Sequence, residues 1–151
     1  MKIALLFHVF GVTVWVGGMF FAYLALRPAA ATLDPPHRLP LWQGTLRRFF
    51  NWVWTAVALI FASGFSMVFM LGGFKVAGPH VHAMIAVGVV MTGIFAYVFF
   101  VPFTRLTAAV ESGKWEEGGA ALGTIRKLVA VNLTLGLATI AIATAGSLVQ
   151  V

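Results

Sequence analysis

Four long apolar runs, separated by polar and proline-bearing segments, organise this chain. They cover about Ile3–Leu26, Phe50–Phe74, His82–Thr104 and Leu128–Val149. A helix needs roughly 20 consecutive apolar residues to cross the hydrocarbon core of a bilayer, and each run reaches that length. The first run is also longer than the roughly 7–15 residues of a signal-peptide core, so it reads as a span. The pattern predicts an all-α integral membrane protein, a four-helix bundle forming one domain over residues 1–151.

The segments between the runs carry their own signals. "RPAAATLDPPHRLPLWQGTLRR" holds four of the six prolines and is expected to end the first helix sharply. Its second half predicts a short interfacial helix with Trp42 at headgroup depth. "GGFKVAGP" is a short link, with Pro79 placed to open the third helix. "TRLTAAVESGKWEEGGAALGTIRK" predicts an amphipathic segment on the membrane surface, anchored by Trp115. Small residues punctuate the spans: Gly11, Gly17 and Gly18, then Ser63 and Gly64, then Gly88 and Gly93. The fourth adds Gly136, Ala138, Ala141, Ala145 and Gly146, a face suited to close helix packing and to a homodimer.

Composition agrees: 61% of the residues are hydrophobic and only 9% are charged, too few to cover a soluble domain. The net charge of +6 is unevenly placed. Arg27, Arg38, Arg47 and Arg48 lie between spans one and two, and Arg105, Lys114, Arg126 and Lys127 between three and four. Only Lys2 and Lys75 fall on the other side. Under the positive-inside rule both long loops are cytoplasmic and both termini periplasmic, in a bacterial inner membrane. Such basic residues serve topology and lipid headgroups, so nucleic acid is not an expected partner. With no cysteine, thiolate metal sites, iron–sulfur clusters and covalently attached haem are excluded.

The candidate chemistry lies with histidine. His8, in "LLFHVFGVTVWVGGMFF", sits roughly 8 Å inside the first helix. His80 and His82 open the third helix, which starts from the same side, and His37 lies in a loop. Imidazoles from separate helices at one level suit a transmembrane haem b, with His8 and His82 as axial ligands and His80 as the substitute. Positions 8, 11, 15 and 18 share a helical face reading His, Gly, Trp, Gly. There Gly11 and Gly18 leave room for a flat macrocycle, and Trp15 walls its edge. Below His82 the face reads Ala86, Val89, Gly93. Phe7, Phe10, Phe20 and Phe21 are expected to line the pocket, and Lys2 and Lys75 to meet propionates.

Methionines 19, 67, 70, 84 and 91 support a second reading, since thioether and imidazole suit Cu(I). Asp34, Glu111, Glu116 and Glu117 all fall in loops, so no residue is assigned a catalytic role.

The stretch "HVFGVTVWVGG" resembles the opening of the copper resistance protein D (CopD-like) membrane family and of the related HemJ-type protoporphyrinogen oxidases. "RRFFN" resembles that family's second-helix start, pointing to Arg48 and Asn51. "HVH" resembles the HemJ His–x–Lys pattern, with His80 on the histidine and His82 on the lysine. The resemblance implies haem b at the first-helix histidine. The reading is then bis-histidine haem iron for electron transfer, with quinone or a periplasmic redox protein as partner. A HemJ-like oxidase acting on a porphyrinogen and CopD-like copper transport are the alternatives.

Overall fold

Every apolar run continues as helix into its polar flanks, so the helices outrun the bilayer. The computed structural model describes residues 1–148, and Val149, the last residue of the fourth run, lies outside them. Helix α1 is Lys2–Ala30, α2 Pro35–Met70, α3 Pro79–Phe100, α4 Pro102–Glu111 and α5 Trp115–Leu148. With α3 and α4 taken as one rod, four helices are long and apolar enough to cross a membrane. At 1.5 Å per residue α2 is about 54 Å long against a hydrocarbon core of about 30 Å.

The excess length overturns two expectations about the loops, whereas the first linker does end α1, at Ala30, two residues after Pro28. A π-helical turn, Ala22–Leu26, precedes it, so the missing proline N–H falls where the hydrogen-bond ladder has already changed register. "LPLWQGTLRRFF" is no separate interfacial helix but part of α2, started by extended Asp34 with Pro35 and Pro36 in the first turn. Trp42 is therefore buried against neighbouring helices, at 4% exposure, instead of anchoring a separate surface helix. The third linker does not lie flat either. It becomes α4 and the first turns of α5, an antiparallel pair closed at Gly113 with φ +68°. Leu39 and Leu106 are fully buried in this extension. Gly118 lets α5 approach, since a Cβ there would sit 3.0 Å from Leu39.

The α2–α3 link turns on Gly72 and Gly73, with φ of +104° and +93°, a region that side chains strain to adopt. The Gly73 amide closes back on the Val68 carbonyl at 2.9 Å, which satisfies one of the last carbonyls of α2.

Packing is uneven along the bundle. Phe50 sits at the centre of an aromatic cluster with Phe95, Phe99 and Phe103, at centroid distances of 5.4, 6.0 and 5.0 Å. This core occupies the half of the bundle nearest the basic loops. At the other end no residue of α1 from 2 to 10, of α3 from 79 to 90 or of α5 from 137 to 145 is buried. There α1 packs along α2 and α3 along α5, and the two pairs are joined by few contacts.

Asn132 of α5 is the polar tie between helices in the core. It is 3% exposed, and its Nδ2–H donates to the Met91 carbonyl of α3 at 3.0 Å. Interhelical bonds of this kind contribute about 0.6–1.7 kcal/mol in membranes. Asn132→Ala is expected to lower stability by about 1 kcal/mol in thermal unfolding of the detergent-solubilised protein. An unchanged Tm would show that the bond contributes nothing.

Candidate functional site: a histidine in a helix seam

His8 faces α2. Its Nδ1 lies 3.1 Å from the Ile60 carbonyl oxygen and 3.2 Å from Ser63 Oγ. A carbonyl only accepts, so Nδ1 carries the proton and donates it. The Ser63 hydroxyl itself donates to the Leu59 carbonyl, which leaves its oxygen free to accept from the ring. The outcome is an imidazole whose tautomer is set by α2 and whose Nε2 lone pair is free of that bonding. Metal-binding histidines are commonly oriented in this way, by a carbonyl on the ring's other nitrogen.

The rest of the α1 stripe is occupied by protein. A Cβ on Gly11 would lie 2.8 Å from Ile60 Cγ1 and 3.0 Å from the Ala56 carbonyl oxygen. One on Gly18 would lie 2.2 Å from the Phe49 ring. Trp15 is buried edge-on against Phe95 at 6.1 Å. The space expected beside a macrocycle is thus filled by α2, because small residues in lipid let helices approach closely. Phe7, Phe10, Phe20 and Phe21 are all exposed and cover the outside of α1, so they do not line a pocket.

The third helix separates its two histidines. His82 is exposed, as are Ala86, Val89 and Gly93 one helical face below it. Its Nδ1 lies 3.2 Å from the Gly78 carbonyl of its own chain segment. Its nearest ring neighbour is Phe74, at 6.4 Å. This face points away from the bundle, and among the described residues no interaction joins His82 to His8. His80 falls on the other face, with Met84, Gly88 and Met91. Gly88 lies against Phe61 of α2, and Met91 is buried, so that face points inward. Met67, one turn beyond Ser63, extends the α2 seam toward the same end. No cluster of three histidine or carboxylate side chains fit for a metal occurs among the described residues.

Arg48 is exposed and bonds the Gly44 carbonyl of its own helix at 3.3 Å. Asn51 is also exposed, and Lys2 and Lys75 stand in the open at the far end. His37 pairs with Asp34 on the surface.

Sequence reasoning found His8 but missed its partners. Ser63 and Gly64 are visible as small residues in "FASGF", yet only the α1–α2 register brings them to the imidazole. A period-3.6 reading of α3 also splits residue 80 from 82, which are about 200° apart on a helix.

The long apolar helices define a multi-pass α-helical membrane protein. The copper resistance protein D family model matches residues 43–145, and the chain belongs to that family. No curated protein and no solved structure matches it.

Proposed function

We propose that this protein moves copper, as Cu(I), through the membrane, with His8 as its principal ligand inside the bundle. The observation that carries the reading is the His8 imidazole held by α2 through Nδ1, with Nε2 left as donor. Membership of the copper resistance protein D family supports copper as the metal. Imidazole and thioether are the ligands Cu(I) favours, and Met67, His80 and Met84 stand on inward-facing positions toward the same end. The sparse packing there separates the α1–α2 pair from the α3–α5 pair and offers the ion a way in. Charge placement assigns that end to the periplasm. No observation favours electron transfer to quinone or a redox protein.

Reconstituted in vesicles holding a Cu(I)-responsive dye, the protein is expected to admit Cu(I) faster than protein-free vesicles do. Ag(I), with the same charge and ligand preference, competes. Equal rates with and without protein would sink transport. A Soret band in the purified protein that disappears in His8→Ala would give the imidazole to haem b instead.

A further inference from the structure

The basic end of the bundle holds a second site. Arg27 at the end of α1, Trp42 on α2 and Arg126 on α5 line one groove, and Arg38 stands one turn before Trp42 on α2. Arg126 Cζ lies 5.5 Å over the Trp42 ring, and Arg27 Cζ lies 4.9 Å over Tyr23, which the π-helical turn Ala22–Leu26 carries. Arg27 and Arg38 are close enough for their charges to bear on Arg126. Like charges gather here without neutralisation: among the described residues the ion pairs are Asp34 with His37 and Glu117 with Lys114, and neither involves these arginines.

Three hydrogen-bond donors in the cluster are buried and unmatched. The Nε of Arg38, the Nε of Arg126 and the indole Nε1 of Trp42 have no partner among the described residues. Buried donors are normally paired, and an unpaired one costs about 1–3 kcal/mol. Two of these donors, on Trp42 and Arg126, belong to residues that line the same groove, where an anion would satisfy them.

The groove beneath them defines what bears that anion. It is shallow and open to the surface, with Arg27, Arg126 and Trp42 among its lining residues. Its walls are otherwise apolar, with Ala22, Leu46, Phe49, Leu122 and Val129 reaching toward the Phe50 core. From Trp42 to Phe50 it descends about 12 Å along α2, at 1.5 Å per residue. Arg126 stands directly before the last apolar run, so a bilayer covering that run leaves the cluster at headgroup depth. A cationic rim over an apolar slot at that depth matches an amphiphile with a phosphate head.

We infer that Arg27, Arg126 and the Trp42 indole N–H hold the phosphate of one anionic phospholipid, with Arg38 adding positive charge nearby and an acyl chain lying along the apolar surface between α1, α2 and α5. Arginine suits this role because its planar fork donates two bonds to one phosphate. A bound lipid there bridges three helices at the end where the core is densest.

Native mass spectrometry of the full-length protein in detergent tests this, titrating phosphatidylglycerol against phosphatidylcholine, with inorganic phosphate as a third ligand. One phosphatidylglycerol is expected to remain bound per chain, about tenfold tighter than phosphatidylcholine. Arg126→Gln lowers that preference about tenfold, the loss of one charge-assisted pair. Trp42→Phe keeps an aromatic ring but removes the N–H, and it weakens phosphatidylglycerol binding several-fold. Equal binding of the two lipids, or full phosphatidylglycerol affinity in both variants, would overturn the proposal. Inorganic phosphate displacing the lipid at equal concentration would overturn it too, by assigning the cluster to a free anion.

Discussion

Replacing Gly11 with leucine is expected to force α1 off α2 and to lower stability by about 3 kcal/mol, the upper range for overpacking a tight contact. The cost is large because one of the two obstacles cannot move. Ile60 can change rotamer, but the Ala56 carbonyl oxygen, 3.0 Å from a Cβ at this position, is backbone inside a helix. Gly11→Ala should therefore be damaging as well, though less so. Ile60→Ala in the Gly11→Ala background should restore part of the loss and not all of it. Thermal or SDS-driven unfolding in detergent micelles, read by circular dichroism, measures the series. A Gly11→Leu protein with an unchanged midpoint would mean the two helices are not in close contact there. The same substitution acts on the site, since His8 lies one turn away and depends on the same seam for Ile60 and Ser63.

The second large effect concerns copper itself. His8→Ala is expected to weaken Cu(I) binding by about 100-fold or more, because outer partners alone are worth roughly 10–100-fold and His8 is the proposed ligand. Competition with a chromogenic Cu(I) chelator reads the affinity. Ser63→Ala should cost about tenfold or less, since the Ile60 carbonyl still accepts the Nδ1 proton and keeps the tautomer. His82→Ala and His37→Ala should leave affinity unchanged, the first because its face points outward, the second because it lies on the surface beside Asp34. An equal loss in His8→Ala and His82→Ala would reinstate a site shared between α1 and α3. Unaltered affinity in His8→Ala would remove His8 from any ligand role.

Two consequences connect the ends of the molecule. The α1–α2 seam is tight where Gly11, Gly18 and Ser63 allow it, and it holds the one intramembrane histidine of α1 in a fixed orientation. The opposite end gathers its charges around apolar walls, where the dense aromatic core of Phe50, Phe95 and Phe103 gives the helices a firm base. Packing between the α1–α2 and α3–α5 pairs is sparsest at the end that carries His8, His80 and Met84.

Sequence by itself determined the number of spans and the membrane setting, because burying apolar residues in hydrocarbon depends on run length and little else. It also determined the end at which charges collect, and it singled out His8, since an imidazole within an apolar run stands out in a one-dimensional pattern. The pattern could not say what each helical face meets. Gly11 and Gly18 read as room for a guest, and only the docking of α2 showed that Ile60 and Phe49 take that room. His80 and His82, two residues apart in the chain, turned to opposite sides of α3 once the inward face was set by Gly88 and Met91. The linkers became helix because α2, α4 and α5 bury Leu39, Leu106 and Trp42 against one another, a gain available only when distant segments are brought together. Lipid offers no preference among apolar faces, so the choice of partner rests on shape and hydrogen bonding across helices, and those exist only in three dimensions.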